Sequence, residues 1–110
     1  MPNVYIVNKG CHDYSQAEGY GSLVYLSRDS YSRFSTGKIF RVFREQMKDS
    51  SPEDFILISG LSVMSSVACS IFAAKHNRIN LLLFNSGPKL KDHYVQRTIV
   101  MEDLWQTLTI

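Results

Sequence analysis

The residues best equipped for chemistry lie in NKGCHDYS, residues 8–15, directly behind the apolar run VYIV. An imidazole titrates near neutral pH and an adjoining carboxylate can orient or tune it, so His12 and Asp13 are candidates for a general acid/base pair. The plainer assignment is that Asp13 caps a short helix and His12 bonds locally, since adjacent side chains point apart unless the loop turns sharply. Tyr14 could stack on a base or ring, or pack beneath the loop. Cys11 would become a nucleophile only if a neighbouring histidine or helix terminus lowered its pKa. Asn8 and Gly10 complete the polar surface of the stretch.

A second candidate is ISGLSVMSS, residues 58–66. Gly60 would allow close backbone approach, Ser59 and Ser62 could cap a helix or donate to a ligand, and the helix that follows would aim unpaired amides outward at a phosphate or carboxylate. A strand-to-helix turn needs a glycine and a capping serine even when nothing binds, so this motif serves either role. Neither GxxxxGK[ST] nor GxGxxG occurs, which leaves Walker-type hydrolysis and the dinucleotide fingerprint unsupported. The three histidines, His12, His76 and His93, lack HxxxH spacing and the two cysteines lack CxxC spacing, so neither a metal nor a cofactor is expected.

These groups must be positioned by regular elements, and four apolar runs supply them: VYIV (4–7), LVYL (23–26), FILI (55–58) and LLLF (81–84). Continuous rather than alternating runs of this kind read as strands buried on both faces of a mainly parallel sheet. Ile39, Val42, Phe43 and Met47 place an apolar stripe on a helix within 36–50, opposite Lys38, Arg41, Glu45 and Lys48. Met64, Val67, Ala68, Ile71 and Phe72 do the same within 61–77, where Asn77 suits a left-handed C-cap. A short third helix fits YSQAEGYG. After the turn NSGPKLKDH, the alternating YVQRTIV (94–100) fits an antiparallel hairpin edge strand.

Strands alternating with helices make an α/β fold. The expectation is one Rossmann-like or flavodoxin-like domain over 1–110: about five strands, mainly parallel, with helices on both faces and a C-terminal antiparallel edge hairpin. Open parallel sheets bind ligands beyond the carboxyl ends of their strands. Those ends carry NKGCHDYS, SRDS with Ser27 and Arg28, SGLS, and NSG with Asn85, whereas the amino ends look less functional. Arg28, Arg33 and Lys38 could neutralise a phosphorylated ligand there.

With 110 residues, 45% hydrophobic and 20% charged, the chain is of ordinary globular composition. A net charge of +2 gives little reason to expect nucleic acid. No run approaches the roughly 20 apolar residues that span a bilayer, and no secretory leader precedes VYIV. A cytoplasmic protein with reduced thiols is expected, and a homodimer is a reasonable way to cover exposed strand edges.

The runs VYIVNKGCHDYSQAEGYGSLVYLS and SPEDFILISGLSVMSSVACSIFAAKHNRINLLLF resemble those of a group of small bacteriophage proteins, over roughly residues 4–97. The resemblance implies a protein made in the host cytoplasm during infection and brings no activity with it. It makes sequestration of a host nucleotide signal worth considering. The leading expectation is a non-catalytic module binding a nucleotide or other phosphorylated small molecule through Asn8, Gly10, His12, Asp13, Tyr14, Ser27, Arg28, Ser59, Gly60, Ser62 and Asn85. One alternative is a small hydrolase or transferase using His12 and Asp13. Another is an interaction protein acting through MEDLWQTLTI (101–110), where Leu104, Trp105 and Leu108 form an apolar stripe, unless that tail simply covers part of the sheet.

Overall fold

The apolar runs become the sheet. In a computed structural model, which describes residues 1–28, 30–85 and 94–104, β1 is Asn3–Ile6, β2 Ser22–Tyr25, β3 Phe55–Leu57, β4 Arg78–Phe84 and β5 Tyr94–Val100. The spatial order is β2-β1-β3-β4-β5. The first four strands are parallel and β5 runs antiparallel to β4. The chain is thus an α/β domain with a mostly parallel five-stranded sheet.

Side chains alternate across this sheet, so each strand feeds two cores. Tyr5 and Val7 lie with Leu26, Ile56 and both long helices on one face, while Val4 and Ile6 lie with Leu57, Leu82, Tyr14 and Ala17 on the other. The register shows where the core stops. One row runs Val24, Tyr5, Ile56, Leu81 and ends at Arg97, and the next runs Tyr25, Ile6, Leu57, Leu82 and ends at Gln96. Apolar partners therefore give way to polar ones at β5, as suits a strand on a sheet edge.

Helix α1 (Thr36–Gln46) and helix α2 (Ser62–His76) pack against each other on the first face. The expected stripes are the buried ones: Ile39 and Phe43 on α1 with Met47 at its end, and Met64, Ala68, Ile71 and Phe72 on α2. Phe43 and Phe72 are fully buried, and truncating either to alanine would cost about 3–5 kcal/mol. Asn77 ends α2 in the left-handed conformation, with φ 58°, and its N–H donates to the Ala73 carbonyl. Lys75 reaches across to the end of α1, where its ammonium donates to the carbonyls of Met47 at 2.7 Å and Lys48 at 2.9 Å.

The second face receives much less cover. Among the described residues its helix is the 3-10 segment Ser15–Gly19, from which Ala17 is buried. Tyrosines fill the remaining space: Tyr14, Tyr20 and Tyr94 all pack there, and the Tyr20 hydroxyl donates to the Tyr94 carbonyl at 3.3 Å.

The amino ends of the strands hold a polar network that the sequence reading undervalued. The buried Asp54 carboxylate accepts from the Asn3 N–H at 2.9 Å and from the Ser51 N–H at 2.9 Å. The Asn80 amide donates to the carbonyls of Pro52 at 2.6 Å and Asp54 at 2.8 Å, and its oxygen accepts from Thr98 at 3.1 Å. These buried groups are occupied in tying β1, β3, β4 and β5 together, as buried polar groups must be.

Candidate functional site

At the opposite rim, β1 and β3 run out into the loops that the sequence singled out. The Asn8 N–H donates to the Ser59 hydroxyl at 3.0 Å, and that hydroxyl donates to the Asn8 carbonyl at 3.0 Å. The Tyr14 hydroxyl donates to the same carbonyl at 3.2 Å. Ser59 therefore fastens the two strand ends and does not cap α2. The cap position belongs to Leu61, which makes no side-chain cap bond, and Ser62 is the exposed first residue of the helix. The serine cap considered for this turn is absent because an extended Leu61 occupies the place where the serine would have to stand.

Gly60 has φ +75°, a conformation that side chains rarely tolerate. A Cβ there would lie 2.8 Å from Asn8 Cβ and 3.3 Å from its Nδ2. The glycine is thus demanded by the packing of Asn8 as well as by its own backbone. Asn8 Oδ1 is buried with no hydrogen-bond partner among the described residues, a condition that costs about 1–3 kcal/mol.

A cavity of about 310 Å³ opens beside this junction on the face with the 3-10 helix. Leu57, Ile58, Ser59 and Gly60 contribute from the end of β3, His12, Asp13 and Tyr14 from the β1 loop, and Phe84 and Tyr94 from the ends of β4 and β5. Aromatic edges shape it: ring centroids are 6.1 Å apart for His12 and Tyr14 and 5.8 Å apart for Phe84 and Tyr94. The volume lies at the lower end of the small-molecule range.

The electrostatics of this cavity are specific. Asp13 Oδ1 accepts the Ser15 N–H at 2.9 Å, and the Ser15 backbone and side chain hold the carboxyl below its ordinary pKa. The carboxylate is therefore spent on an i to i+2 turn, the plainer of its two expected roles, and His12 meets Tyr14 by its ring edge. The Tyr94 phenol is pushed up, first by burial and then by the proximity of Tyr14, Asp13 and Tyr25. It remains a protonated hydroxyl at neutral pH.

Cations gather outside the cavity. The Arg28 guanidinium stands 4.7 Å and the Lys9 ammonium 5.6 Å from the centroid of Tyr25, whose ring lies 6.4 Å from that of Tyr14. Ser27 is buried, and its carbonyl accepts the Lys9 N–H at 2.9 Å, joining the ends of β1 and β2. Arg33 lies instead on the exposed Phe34, 4.9 Å from its ring.

A second cavity of about 300 Å³ is lined by Asn8, Ser30, Tyr31, Gly60, Leu61 and Met64. It lies on the helical face, since Met64 belongs to that core. Lys38 stands 5.5 Å above the Tyr31 ring.

The structure thus gathers Asn8, His12, Asp13, Tyr14, Ser59 and Gly60 around one junction. Gly10 turns the exposed loop with φ +52°, Asn85 follows β4 directly, and Ser62 opens α2. Sequence reasoning missed Lys9, Leu57, Ile58, Phe84 and Tyr94. Phe84 had a usable signal, being a large aromatic residue at the carboxyl end of a strand.

Burial pushes the Cys69 thiol up, which keeps it protonated and unreactive, whereas Cys11 is exposed. Among the described residues no cluster of three or more His, Cys, Asp or Glu is placed to hold a metal ion, and no helix is long and apolar enough to cross a membrane. His93 and residues 105–110, including Trp105 and Leu108, lie outside the described residues.

Neither the curated proteins nor the solved structures contain a match to this chain. The family model described as Phage Pam3 gp32-like protein matches residues 2–100, nearly all of the sheet and the whole of the site, and the chain belongs to that family of phage proteins.

Proposed function

We propose that this protein is a binding module for a nucleotide or similar phosphorylated small molecule, held at the carboxyl ends of β1 and β3. The observation that carries the reading is the aromatic-lined cavity meeting the Gly60 turn where α2 begins. Aromatic edges suit a base, and unpaired helix amides suit a phosphate. The strand order agrees with a flavodoxin-like sheet, in which the gap between β1 and β3 is the usual ligand crevice. In the cell, such a module would act in the cytoplasm of the infected host, sequestering a nucleotide signal. Turnover by His12 and Asp13 gains no support, because Asp13 already serves the Ser15 turn.

The test is a thermal-shift titration with nucleoside 5′-phosphates, comparing the wild type with Phe84→Ala. Phe84 is 64% exposed, so removing its ring should alter the cavity while largely sparing the fold. A ligand that binds the folded state raises Tm by mass action. The expected result is a shift in the wild type that Phe84→Ala largely abolishes. A wild type unmoved by the whole panel would defeat the reading.

A second reading has its own observation. Ile99, Val100 and Leu104 are exposed on or just after β5, at the sheet edge. They suit a contact with a second copy or another protein. Self-association that disappears in Ile99→Lys, measured by sedimentation, would favour it; an unchanged monomer would dismiss self-assembly through this edge.

A further inference from the structure

The two cavities share Gly60 and lie on opposite faces of the sheet, yet their surroundings differ in charge. The first contains the Asp13 carboxylate and the aromatic rings of Tyr14, Phe84 and Tyr94. The second contains Tyr31, with the Lys38 ammonium 5.5 Å from its ring, and no carboxylate lines it among the described residues. An anion placed in the first would face Asp13 at close quarters, whereas an uncharged ring could lie against the aromatic edges and offer a hydroxyl or amine to that carboxylate. An anion in the second would meet a cation instead. Between them Asn8 packs against Gly60, its side-chain oxygen unpartnered among the described residues. Such orphaned groups in an otherwise satisfied interior call for an explanation in terms of function.

We propose that the cavities are two halves of one site, whose ligand crosses Gly60 with its uncharged ring between Tyr14, Phe84 and Tyr94 and its phosphate on the side of Tyr31 and Lys38. This rests on the nucleotide-binding reading and adds an orientation to it. It also names the ligand class: a ring and a phosphate in one molecule, neither of which fills the site alone. Lys38 becomes a specificity residue that the activity of the ring pocket alone would not require. Its position favours a clean substitution, because it is exposed and lies in the first turn of α1, where a carboxylate is favourable for the helix dipole.

The experiment is calorimetric titration of the wild type, Lys38→Glu and Phe84→Ala with the four common ribonucleosides, their 5′-mono- and diphosphates, and inorganic phosphate. At least one nucleotide should bind the wild type ten-fold or more tightly than its nucleoside, and inorganic phosphate should bind weakly. Lys38→Glu should weaken that nucleotide about ten-fold and leave its nucleoside unchanged, while Phe84→Ala should weaken both. If a nucleotide binds no better than its nucleoside, or Lys38→Glu leaves it unaffected, the two-part site is wrong although nucleotide binding stands. If no nucleotide binds the wild type, both readings fall together.

Discussion

The Ser59 hydroxyl and the Asn8 peptide are joined twice: Ser59 accepts from the Asn8 N–H and donates to the Asn8 carbonyl, both at 3.0 Å. One side chain thereby replaces the strand pairing that ends with β1 and β3. Ser59→Ala would strand the Asn8 N–H, while the carbonyl would keep its bond from Tyr14. The expected loss is about 1–3 kcal/mol, read as a lower midpoint in urea denaturation with an unchanged slope. A variant as stable as the wild type would show that water replaces the hydroxyl at no cost.

Gly60→Ala should be more damaging than its size suggests. The φ of +75° places an L-residue in strained territory, at a cost of about 1–2 kcal/mol, and the new methyl would press on Asn8 Cβ from 2.8 Å. Asn8 would have to move, and with it the loop leading to His12 and Tyr14. Stability and ligand binding should fall together, which makes Gly60 a poor probe of the ligand. Equilibrium unfolding with a loss under about 1 kcal/mol would show that the turn can relax.

Much of this architecture was legible because its signals are local. The apolar runs, the stripe of Ile39, Phe43 and Met47, and the left-handed cap at Asn77 each follow from a few neighbouring residues. The rule that ligands gather at strand carboxyl ends then brought Asn8, His12, Asp13, Tyr14, Ser59 and Gly60 together. What stayed hidden depends on long-range pairing. Tyr94 reaches the cavity only because β5 pairs with β4 so that Tyr94 stands opposite Phe84. Lys9 joins Arg28 at Tyr25 only because β2 lies beside β1. The same limit explains Asp54 and Asn80, whose polarity in the sequence looked like a plain loop and strand, and whose partners come from residues distant in the chain.

His76 carries a pH dependence of stability. Burial, followed by the charge of Lys75, depresses its pKa against the weaker opposing pull of Asp54 and Glu53, and Nε2 lies 2.8 Å from the Ser50 hydroxyl. The unfolded ring, with a pKa of about 6.5, thus binds a proton more readily than the folded one. The contribution of the neutral ring is complete above that unfolded value and is lost as the pH falls through the depressed folded value. Wild-type stability should drop from about pH 7 to about pH 5.5 more steeply than that of His76→Gln, which cannot titrate. Parallel denaturation curves for the two proteins would assign the linkage elsewhere.

Ser62→Asp separates the stability of the site from its ligand. Ser62 is exposed at the start of α2, where a carboxylate opposes the positive end of the helix and should add about 0.3–1 kcal/mol to stability. The same charge would stand beside the Gly60 turn and repel an arriving phosphate. Folding and affinity should therefore move in opposite directions: Tm without ligand rises, and the further rise on adding a nucleotide shrinks. A destabilised protein that loses binding would be uninformative about charge, so the uncharged Ser62→Asn serves as the comparison. If Ser62→Asp binds nucleotides as tightly as Ser62→Asn, the phosphate does not approach α2, because a fixed charge at the helix entrance could not leave its affinity untouched.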